Sequence, residues 1–249
     1  MSFGSCCLKT FTWDGTPTGK EVKLANNNSY VTGDNKDAAV LMIHDLFGWK
    51  YPNVRLLADH YAREANVTVY VPDFFGGWVA DWGLIEADRF DQIDLVTMAK
   101  ENSREVRGPE MEACARALKS EHGFKRLGAI GFCYGGWAVC HLGSKERGEE
   151  KLVDVVSFGH PSWLKKDDIA NLTVPIQILA PEFDHAFPTE LKAYTFETLL
   201  KLNLPFEYVH YPGIAHGGLV RGSEKVAKER EAMASAKNSA VAWFKQHLH

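Results

Sequence analysis

Short apolar segments alternate with longer segments of helical periodicity along most of the chain, and this alternation constrains the fold more than any other feature. Strands are predicted at residues 38–44, 67–72, 126–132, 152–159, 174–180 and 205–211. Helices are predicted at residues 53–65, 85–105, 109–120, 135–143, 188–202 and 223–247, with Pro109 starting the third. Such alternation is typical of parallel βαβ units, and continuous apolar strands indicate a sheet buried on both faces. We therefore predict an α/β fold with a mostly parallel central sheet and helices on both faces.

No Pro-, Gly- or Ser-rich linker and no repeat divides the chain, so residues 1–249 are predicted to form a single domain. Residues 1–37 precede the first of these strands and are expected to be irregular. The stretches "GTPTGKE" and "NNNSY" within them are turn or hairpin signals.

Charge and cysteine content exclude several classes of protein. The 28 Lys and Arg are outnumbered by 32 Asp and Glu, with no long basic run, so nucleic-acid binding is not expected. No apolar stretch approaches the ~20 residues that a membrane span needs, and the N-terminus lacks the pattern of a secretory signal. Five cysteines without framework spacing indicate reduced thiols and a cytoplasmic protein. Cys6 and Cys7 are interpreted as free thiols rather than metal ligands.

Active sites in parallel sheets form beyond the carboxyl ends of the strands. The segments that follow the predicted strands are "HDLFGW" (44–49), "PDFFGGW" (72–78), "CYGG" (133–136), "HPSW" (160–163), "PEFDHAF" (181–187) and "PGIAHGG" (212–218). We expect all six to face one edge of the sheet.

The stretch "GAIGFCYGGW" places Cys133 in a glycine-rich turn between a predicted strand and a predicted helix. Gly-x-Cys-x-Gly fits a nucleophile elbow, in which the strained turn needs neighbours almost without side chains. Gly131 and Gly135 supply that room, and Gly136 allows the helix to pack closely. The helix N-terminus favours a thiolate. The alternative is that Cys133 is a small buried residue at a tight turn, as we expect for Cys114 and Cys140 in their helices.

A thiol nucleophile needs a base that is oriented by a third group. Asp184 and His216 follow later predicted strands, in the order nucleophile, acid, histidine that this turn predicts. Glu182 and His185 are the rival acid and base. Glu182 lies closer to the strand end, and His185 adjoins Asp184, where the two side chains rarely face each other. The sequence therefore predicts a Cys133–His216–Asp184 catalytic triad.

These motifs resemble those of the dienelactone hydrolase family, within the α/β-hydrolase superfamily. The resemblance rests on "GFCYGG", "HDLFGW", "VPDFFGG" and the positions of Asp184 and His216, and it extends from about residue 20 to the C-terminus. The opening residues and "GHPSW" are similar to fungal or other eukaryotic members. The resemblance implies an α/β-hydrolase fold and hydrolysis of esters or lactones through a thioester on Cys133.

The resemblance also implies roles for residues beside the nucleophile. The backbone amides of Leu46 and Tyr134 are expected to form the oxyanion hole. Asp45 occupies the position of an acid that holds the resting thiol; alternatively, it caps the helix that begins near residue 53. Bacterial members place a basic residue soon after the second strand to bind a substrate carboxylate. Here "DFFGGW" stands instead, and nothing in the sequence fixes Arg89 at the site.

Aromatic side chains are frequent in the strand-end segments, which suggests a flat apolar pocket. The residues predicted to line it are Phe47, Phe74, Phe75, Trp78, His160 and Trp163. Many of these aromatic residues are equally compatible with core packing, and His160 with a structural role. Residues 78–105 are long for a connection between strands and form either a lid or a helical wrap.

The sequence thus predicts a cytoplasmic cysteine hydrolase of a small ester or lactone, without metal or cofactor, acting as a monomer or homodimer. One alternative is the same scaffold acting on a polyketide-type aromatic lactone in a biosynthetic pathway. Another is a protein that binds ligands or undergoes thiol redox chemistry without turnover. If His216 must be neutral to act as a base, activity should fall on the acid side of its pKa.

Overall fold

The computed structural model describes residues 10–86, 89–145 and 150–249. Within them, eight strands form one sheet in the order β1-β2-β4-β3-β5-β6-β7-β8. The strands are β1 (Lys20–Leu24), β2 (Asn27–Thr32), β3 (Ala38–Ile43), β4 (Thr68–Pro72), β5 (Arg126–Phe132), β6 (Val155–Gly159), β7 (Ile176–Phe183) and β8 (Phe206–Ala215). The helices are α1 (Pro52–Ala65), α2 (Trp82–Glu86), α3 (Leu95–Glu101), α4 (Arg104–Ser120), α5 (Gly135–Leu142), α6 (Lys166–Ala170), α7 (Thr189–Leu202), α8 (Gly218–Arg221) and α9 (Ala227–Leu248).

The sheet from β3 and β4 through to β8 is parallel, as predicted, and β1 and β2 extend it as antiparallel strands. In the register of the two central strands, Ile43 at the end of β3 is paired with Gly131 near the end of β5. The segments that follow these strands therefore begin side by side. This register brings residues 44–49 next to the turn that holds Cys133.

Helices cover both faces of the sheet. Helices α1, α8 and α9 pack against one another, and α4, α5, α6 and α7 form a second series of neighbours. The inner strands β3, β4 and β6 are buried over their full length, whereas β1 and β8 at the two edges of the sheet are largely half-buried or exposed. The indole nitrogen of Trp243 in α9 donates a hydrogen bond to the Val156 carbonyl in β6, 3.1 Å away, which ties the last helix to the centre of the sheet.

The N-terminal segment differs from its expectation. Residues 20–32 are not irregular but form the β1–β2 hairpin, consistent with the turn signals in this part of the sequence. Ala25 in the tight turn has a φ of 48°. The hairpin joins the sheet because β2 pairs with the outer edge of β4, which leaves no unpaired edge on that strand.

The region predicted as one helix at 85–105 is broken into pieces. It contains α2, a 3-10 helix at Phe90–Gln92, and α3, which ends before Asn102. Asn102 is fully buried, and its side-chain amide donates back to the Met98 carbonyl, 2.8 Å away. Helix α4 then begins at Arg104, so the prediction that Pro109 starts a helix is wrong. Tertiary packing of Asn102 sets the boundary instead, and Pro109 lies inside α4.

The last predicted helix, 223–247, corresponds to α9, which begins four residues later at Ala227. The short helix α8 precedes it and was not predicted; it begins two residues after His216, which places it at the site. None of the helices described here combines the length and the apolar character needed to cross a membrane.

Candidate active site

Cys133 lies at the sharp turn between β5 and α5. Its φ of 50° is in the left-handed region, and its side chain is fully buried. Its backbone amide donates to the Gly159 carbonyl, 3.2 Å away, and its own carbonyl accepts from the amide of Gly136, 3.0 Å away. A strained backbone held by bonds from both sides is typical of a functional position.

Three glycines permit this turn, each for a different contact. A Cβ atom at Gly131 would overlap the backbone of Gly135, and one at Gly135 would overlap the Ile43 carbonyl in β3. A Cβ at Gly136 would overlap Pro161 in the loop after β6. The turn is therefore compressed between two strand ends, and Gly136 makes room for this loop rather than for the sheet itself.

Asp184 and His216 meet at the ends of β7 and β8. The Nδ1 atom of His216 lies 2.8 Å from Oδ1 of Asp184, and both side chains are completely buried. The same Asp184 oxygen accepts from the amides of Ala186 and Phe187, at 2.9 and 3.1 Å. The His216 amide donates to the Phe183 carbonyl, 2.8 Å away. The Asp–His pair is thus held by the backbone on both strands.

The rival residues are placed elsewhere. Glu182 is exposed and accepts from the Gly213 amide at 2.5 Å, where it stabilises the connection between β7 and β8. His185 is exposed, with its ring 5.4 Å from that of His216. The structure therefore brings together the acid and base that the sequence favours.

Electrostatics link His216 to the cysteine. Burial by itself lowers the pKa of His216, but the negative charge of Cys133 and the bond to Asp184 outweigh it and raise the pKa to about 10. Because Nδ1 faces Asp184, Nε2 is the ring nitrogen available to Cys133. The arrangement favours an imidazolium beside a thiolate.

A serine that the sequence analysis did not single out contacts the thiol. Oγ of Ser162 lies 3.2 Å from Sγ of Cys133, and the Ser162 amide donates to the Cys133 carbonyl, 2.7 Å away. Ser162 is 4% exposed. Its place in the strand-end segment 160–163 was the available signal, but only the pairing of β5 with β6 brings that segment to the cysteine.

Asp45 is buried beside the nucleophile and paired with an arginine that was also missed. Its Oδ2 accepts from Nε of Arg221 at 2.5 Å, and its Oδ1 accepts from the Phe47 amide at 2.9 Å. Burial raises the pKa of Asp45; the Arg221 guanidinium opposes this, and the charge of Cys133 reinforces it. Asp45 does not cap α1, whose N-cap is Tyr51. That Asp45 positions the thiol stays a prediction.

Arg221 lies in α8, five residues after His216, and only 1% of it is exposed. Its guanidinium also lies over the ring of Phe47, 4.4 Å from the centroid. A lone arginine in the apolar and glycine-rich stretch "GGLVRG" was the signal that would have pointed to it.

The amides predicted to form an oxyanion hole flank the nucleophile. Leu46 follows β3, and Tyr134 follows Cys133 directly at the start of α5. Neither amide donates to another protein group in the described part of the chain. That the two amides form an oxyanion hole stays a prediction.

The predicted pocket residues divide into two groups. Phe75, Trp78 and Trp163 are linked through Tyr134: the ring of Phe75 lies 4.9 Å from Tyr134 and 5.8 Å from Trp78, and that of Trp163 lies 5.3 Å from Tyr134. Trp78 and Trp163 are half-buried, so this cluster reaches the surface.

The remaining predicted pocket residues are fully buried. Phe47 packs on Tyr51 and Arg221, and Phe74 packs on His44, whose Nε2 accepts from the Phe74 amide at 3.2 Å. Their contacts are those of core residues. His160 has a φ of 36° and a ring 4.9 Å from that of His216, and neither ring nitrogen has a hydrogen-bond partner among the described residues. Burial and the neighbouring cations keep its pKa well below the ordinary value.

The other cysteines are different in setting. Cys114 and Cys140 are buried in α4 and α5, as expected, and Cys6 and Cys7 lie outside the described residues. In the ranges the structure describes, no group of three or more His, Cys, Asp or Glu side chains is arranged to hold a metal ion.

Comparison with solved structures identifies the fold. A dienelactone hydrolase from Anabaena variabilis superposes with a TM-score of 0.64 and 15% identity, covering 93% of this chain and 98% of its own. Carboxyl esterase 2 from Tuber melanosporum gives a TM-score of 0.68 and 14% identity, covering 97% and 90%. The fold is therefore that of the α/β-hydrolases, as predicted.

Comparison of sequences identifies the family. Hydrolase tropI of Talaromyces stipitatus is 28% identical, over 98% of this chain and 96% of its own. The carboxymethylenebutenolidase homolog of Homo sapiens is 28% identical, over 92% and 91%. The model of the dienelactone hydrolase family matches residues 28–248. With nearly the whole chain matched, the protein belongs to the dienelactone hydrolase family, a family of hydrolases.

Proposed function

We propose that this protein hydrolyses a small ester or lactone through a thioester on Cys133. The observation that carries the proposal is the buried thiol in a left-handed turn, with His216 facing it and Asp184 bonded to the far side of the same ring. This is the arrangement of a nucleophile, a proton carrier and an orienting acid.

In the first half of the reaction, the Cys133 thiolate attacks the carbonyl carbon of the substrate. The carbonyl oxygen becomes negative, and the amides of Leu46 and Tyr134 would donate hydrogen bonds to it. When the bond from carbon to the leaving oxygen breaks, that oxygen takes the proton of the His216 imidazolium. Asp184 keeps the ring oriented through Nδ1, so that Nε2 faces the leaving group.

In the second half, a water molecule attacks the thioester carbonyl. Neutral His216 accepts the proton of the water at Nε2, and the bond between carbon and sulfur breaks. The carboxylic acid leaves, and the thiolate and imidazolium are restored. Every proton passes through one nitrogen, and no cofactor is needed.

The aromatic cluster of Phe75, Trp78, Tyr134 and Trp163 supports a planar, apolar acyl or alcohol group. This observation favours a second candidate, a polyketide-type aromatic lactone of a biosynthetic pathway. The segment after β4 supports it as well, because Asp73 binds the amides of its own turn there and Arg89 is exposed. No basic side chain in that segment is placed to bind a dicarboxylate substrate.

Turnover of p-nitrophenyl acetate and of simple lactones tests the proposed chemistry. Cys133→Ala should lose activity by about 10⁴-fold or more, because the nucleophile is removed. Cys140→Ala, which alters an equally buried thiol seven residues further on, should retain it. Intact-mass measurement of the wild type with a slow ester should show an acyl adduct on Cys133. Equal turnover by wild type and Cys133→Ala contradicts the proposal, and stable binding without turnover favours a non-hydrolytic role.

Competition between lactones decides between the two substrate classes. An aromatic lactone should show a higher kcat/KM than a small dicarboxylate lactone, and Trp163→Ala should reduce the difference. Preference for the dicarboxylate would contradict the second candidate while leaving the thioester chemistry intact.

A further inference from the structure

The loop that follows β6, here called the HPSW loop (residues 160–163), contacts the site at four consecutive positions. The ring of His160 faces His216, and Pro161 packs on Gly136. Ser162 contacts Cys133, and Trp163 packs on Tyr134. The loop is itself strained, since its first and last residues have φ angles of 36° and 60°. Such a loop is held in place by the site and in turn holds the site.

Ser162 makes the most direct of these contacts. Its backbone amide and its hydroxyl both reach Cys133, the first at the carbonyl oxygen (2.7 Å) and the second at Sγ (3.2 Å). The backbone hydrogen bond fixes the position of the Ser162 main chain, and burial leaves the Ser162 side chain little rotational freedom. The Ser162 hydroxyl is therefore held next to the sulfur, because its side chain cannot rotate freely away from it.

The charges around the sulfur determine which partner donates. A thiolate carries no proton, so a hydrogen bond between the two side chains must run from the hydroxyl to the sulfur. His216 attracts the thiolate as a cation, whereas the Asp45 carboxylate and the thiolate repel each other. The Ser162 hydroxyl is a neutral donor, so it stabilises the thiolate without adding a further charge beside the sulfur.

We propose that Ser162 is a positioning residue for the nucleophile, whose hydroxyl donates to the resting Cys133 thiolate and fixes its direction. The inference rests on the proposed function, because it takes Cys133 as the attacking group. During attack the negative charge leaves sulfur for the carbonyl oxygen, so this bond is strongest in the resting enzyme and weakens as the carbon–sulfur bond forms.

The test is a titration of the thiolate by its ultraviolet absorbance, taken as the difference between each variant and its own Cys133→Ala form. That subtraction removes the other four thiols. Ser162→Ala should raise the midpoint by about one pH unit, the effect of losing one hydrogen bond to a charged group. The pH dependence of iodoacetamide alkylation at Cys133 should move by the same amount.

Two variants separate this role from a merely structural one. Ser162→Thr keeps the hydroxyl and should retain the wild-type midpoint. Ser157→Ala removes another buried hydroxyl, in the strand β6 that precedes the HPSW loop. This hydroxyl donates to Gln177 at 2.8 Å, and its removal should leave the midpoint unchanged. If Ser162→Ala does not fold, Ser162→Gly removes the same hydroxyl with no new side chain.

The outcomes distinguish the two proposals. If the wild type forms no thiolate near neutral pH, the proposed function fails and the role of Ser162 fails with it. If the wild type forms one and Ser162→Ala titrates at the same midpoint, only the role of Ser162 is overturned. An equal shift in Ser157→Ala overturns it as well, because the effect would then reflect loosened packing.

Discussion

Three cysteines in the described residues are equally buried, yet only one of them has the surroundings of a nucleophile. Cys114 lies in the middle of α4, where burial raises the pKa of its thiol to about 12. Cys140 lies in α5, and burial raises its pKa as well. Cys133 lies two residues before the start of the same helix α5, with His216 and Ser162 beside it.

The comparison teaches that burial by itself makes a thiol inert. Removing a thiol from water disfavours its charged form, so a buried cysteine without a cation stays protonated. In the proposed site, the imidazolium and a hydroxyl donor replace the lost water at Cys133. Only seven residues then separate the proposed nucleophile from the inert thiol of Cys140.

The largest expected effect is in alkylation. At neutral pH, a pKa of about 12 leaves only ~10⁻⁵ of the Cys114 thiol as thiolate, and raised pKa values slow Cys140 similarly. Cys133 should react with iodoacetamide at least about 10³-fold faster than either. Peptide mass spectrometry of partly alkylated, folded protein measures this. Comparable labelling of Cys133 and Cys140 would break the comparison.

Removing the charge of the proposed orienting acid, Asp184, tests whether it contributes to the difference between Cys133 and the other buried cysteines. Asp184→Asn should reduce kcat/KM by about 10²–10⁴-fold, because the amide cannot hold His216 in the required tautomer. Glu182→Gln is the matched control, two residues earlier and exposed, and should change kcat/KM by less than about threefold. A loss in the control of similar size would show that the loop, not the acid, determines the effect.

The turn that separates the cysteines can be tested through its glycines. Gly131→Ala should destabilise the protein by about 3 kcal/mol, since its Cβ would overlap backbone atoms of Gly135 that cannot move aside. Gly83→Ala in α2 would meet only a side-chain oxygen of Asp81, 3.3 Å away, and should leave the free energy of unfolding nearly unchanged. Urea denaturation compares the two, and equal stability would mean that the turn is not compressed.

The smallest effect is the pH dependence of hydrolysis. A ring whose pKa is raised stays protonated below that pKa and loses its proton as the pH rises through it. Because the pKa of His216 is about 10, kcat/KM should persist through neutral pH and fall tenfold per unit above about 10. This replaces the expectation of a fall on the acid side from an ordinary histidine. An acid-side fall near 6.5, with no change near 10, would show that Cys133 and His216 are not charged together.

Much of the fold was predictable because buried parallel strands can be recognised from neighbouring residues, as continuous apolar runs. The strands β3 to β8 were predicted within a few residues for that reason. The boundary between α3 and α4 was not, since the packing of Asn102 decides it: this residue is buried, and its carbonyl accepts from the Tyr134 hydroxyl, 2.9 Å away. Helical periodicity is the same on both sides of such a break.

The candidate site divides in the same way. Cys133, Asp184 and His216 could be proposed from the sequence because each follows a strand in a segment with its own glycine or turn signal. Ser162 and Arg221 were missed because their partners are 29 and 176 residues away in sequence. Contacts of that range leave no local pattern.

The sequence by itself determined the parallel sheet, the glycine turn at Cys133 and the order of acid and histidine, because each depends on neighbouring residues. Only the tertiary structure decided that Glu182 faces solvent while Asp184 contacts His216. It also decided that Arg221 pairs with Asp45 and that Ser162 contacts the sulfur. Those outcomes depend on strand register, which places distant strand ends level with one another, and register is a property of the assembled sheet.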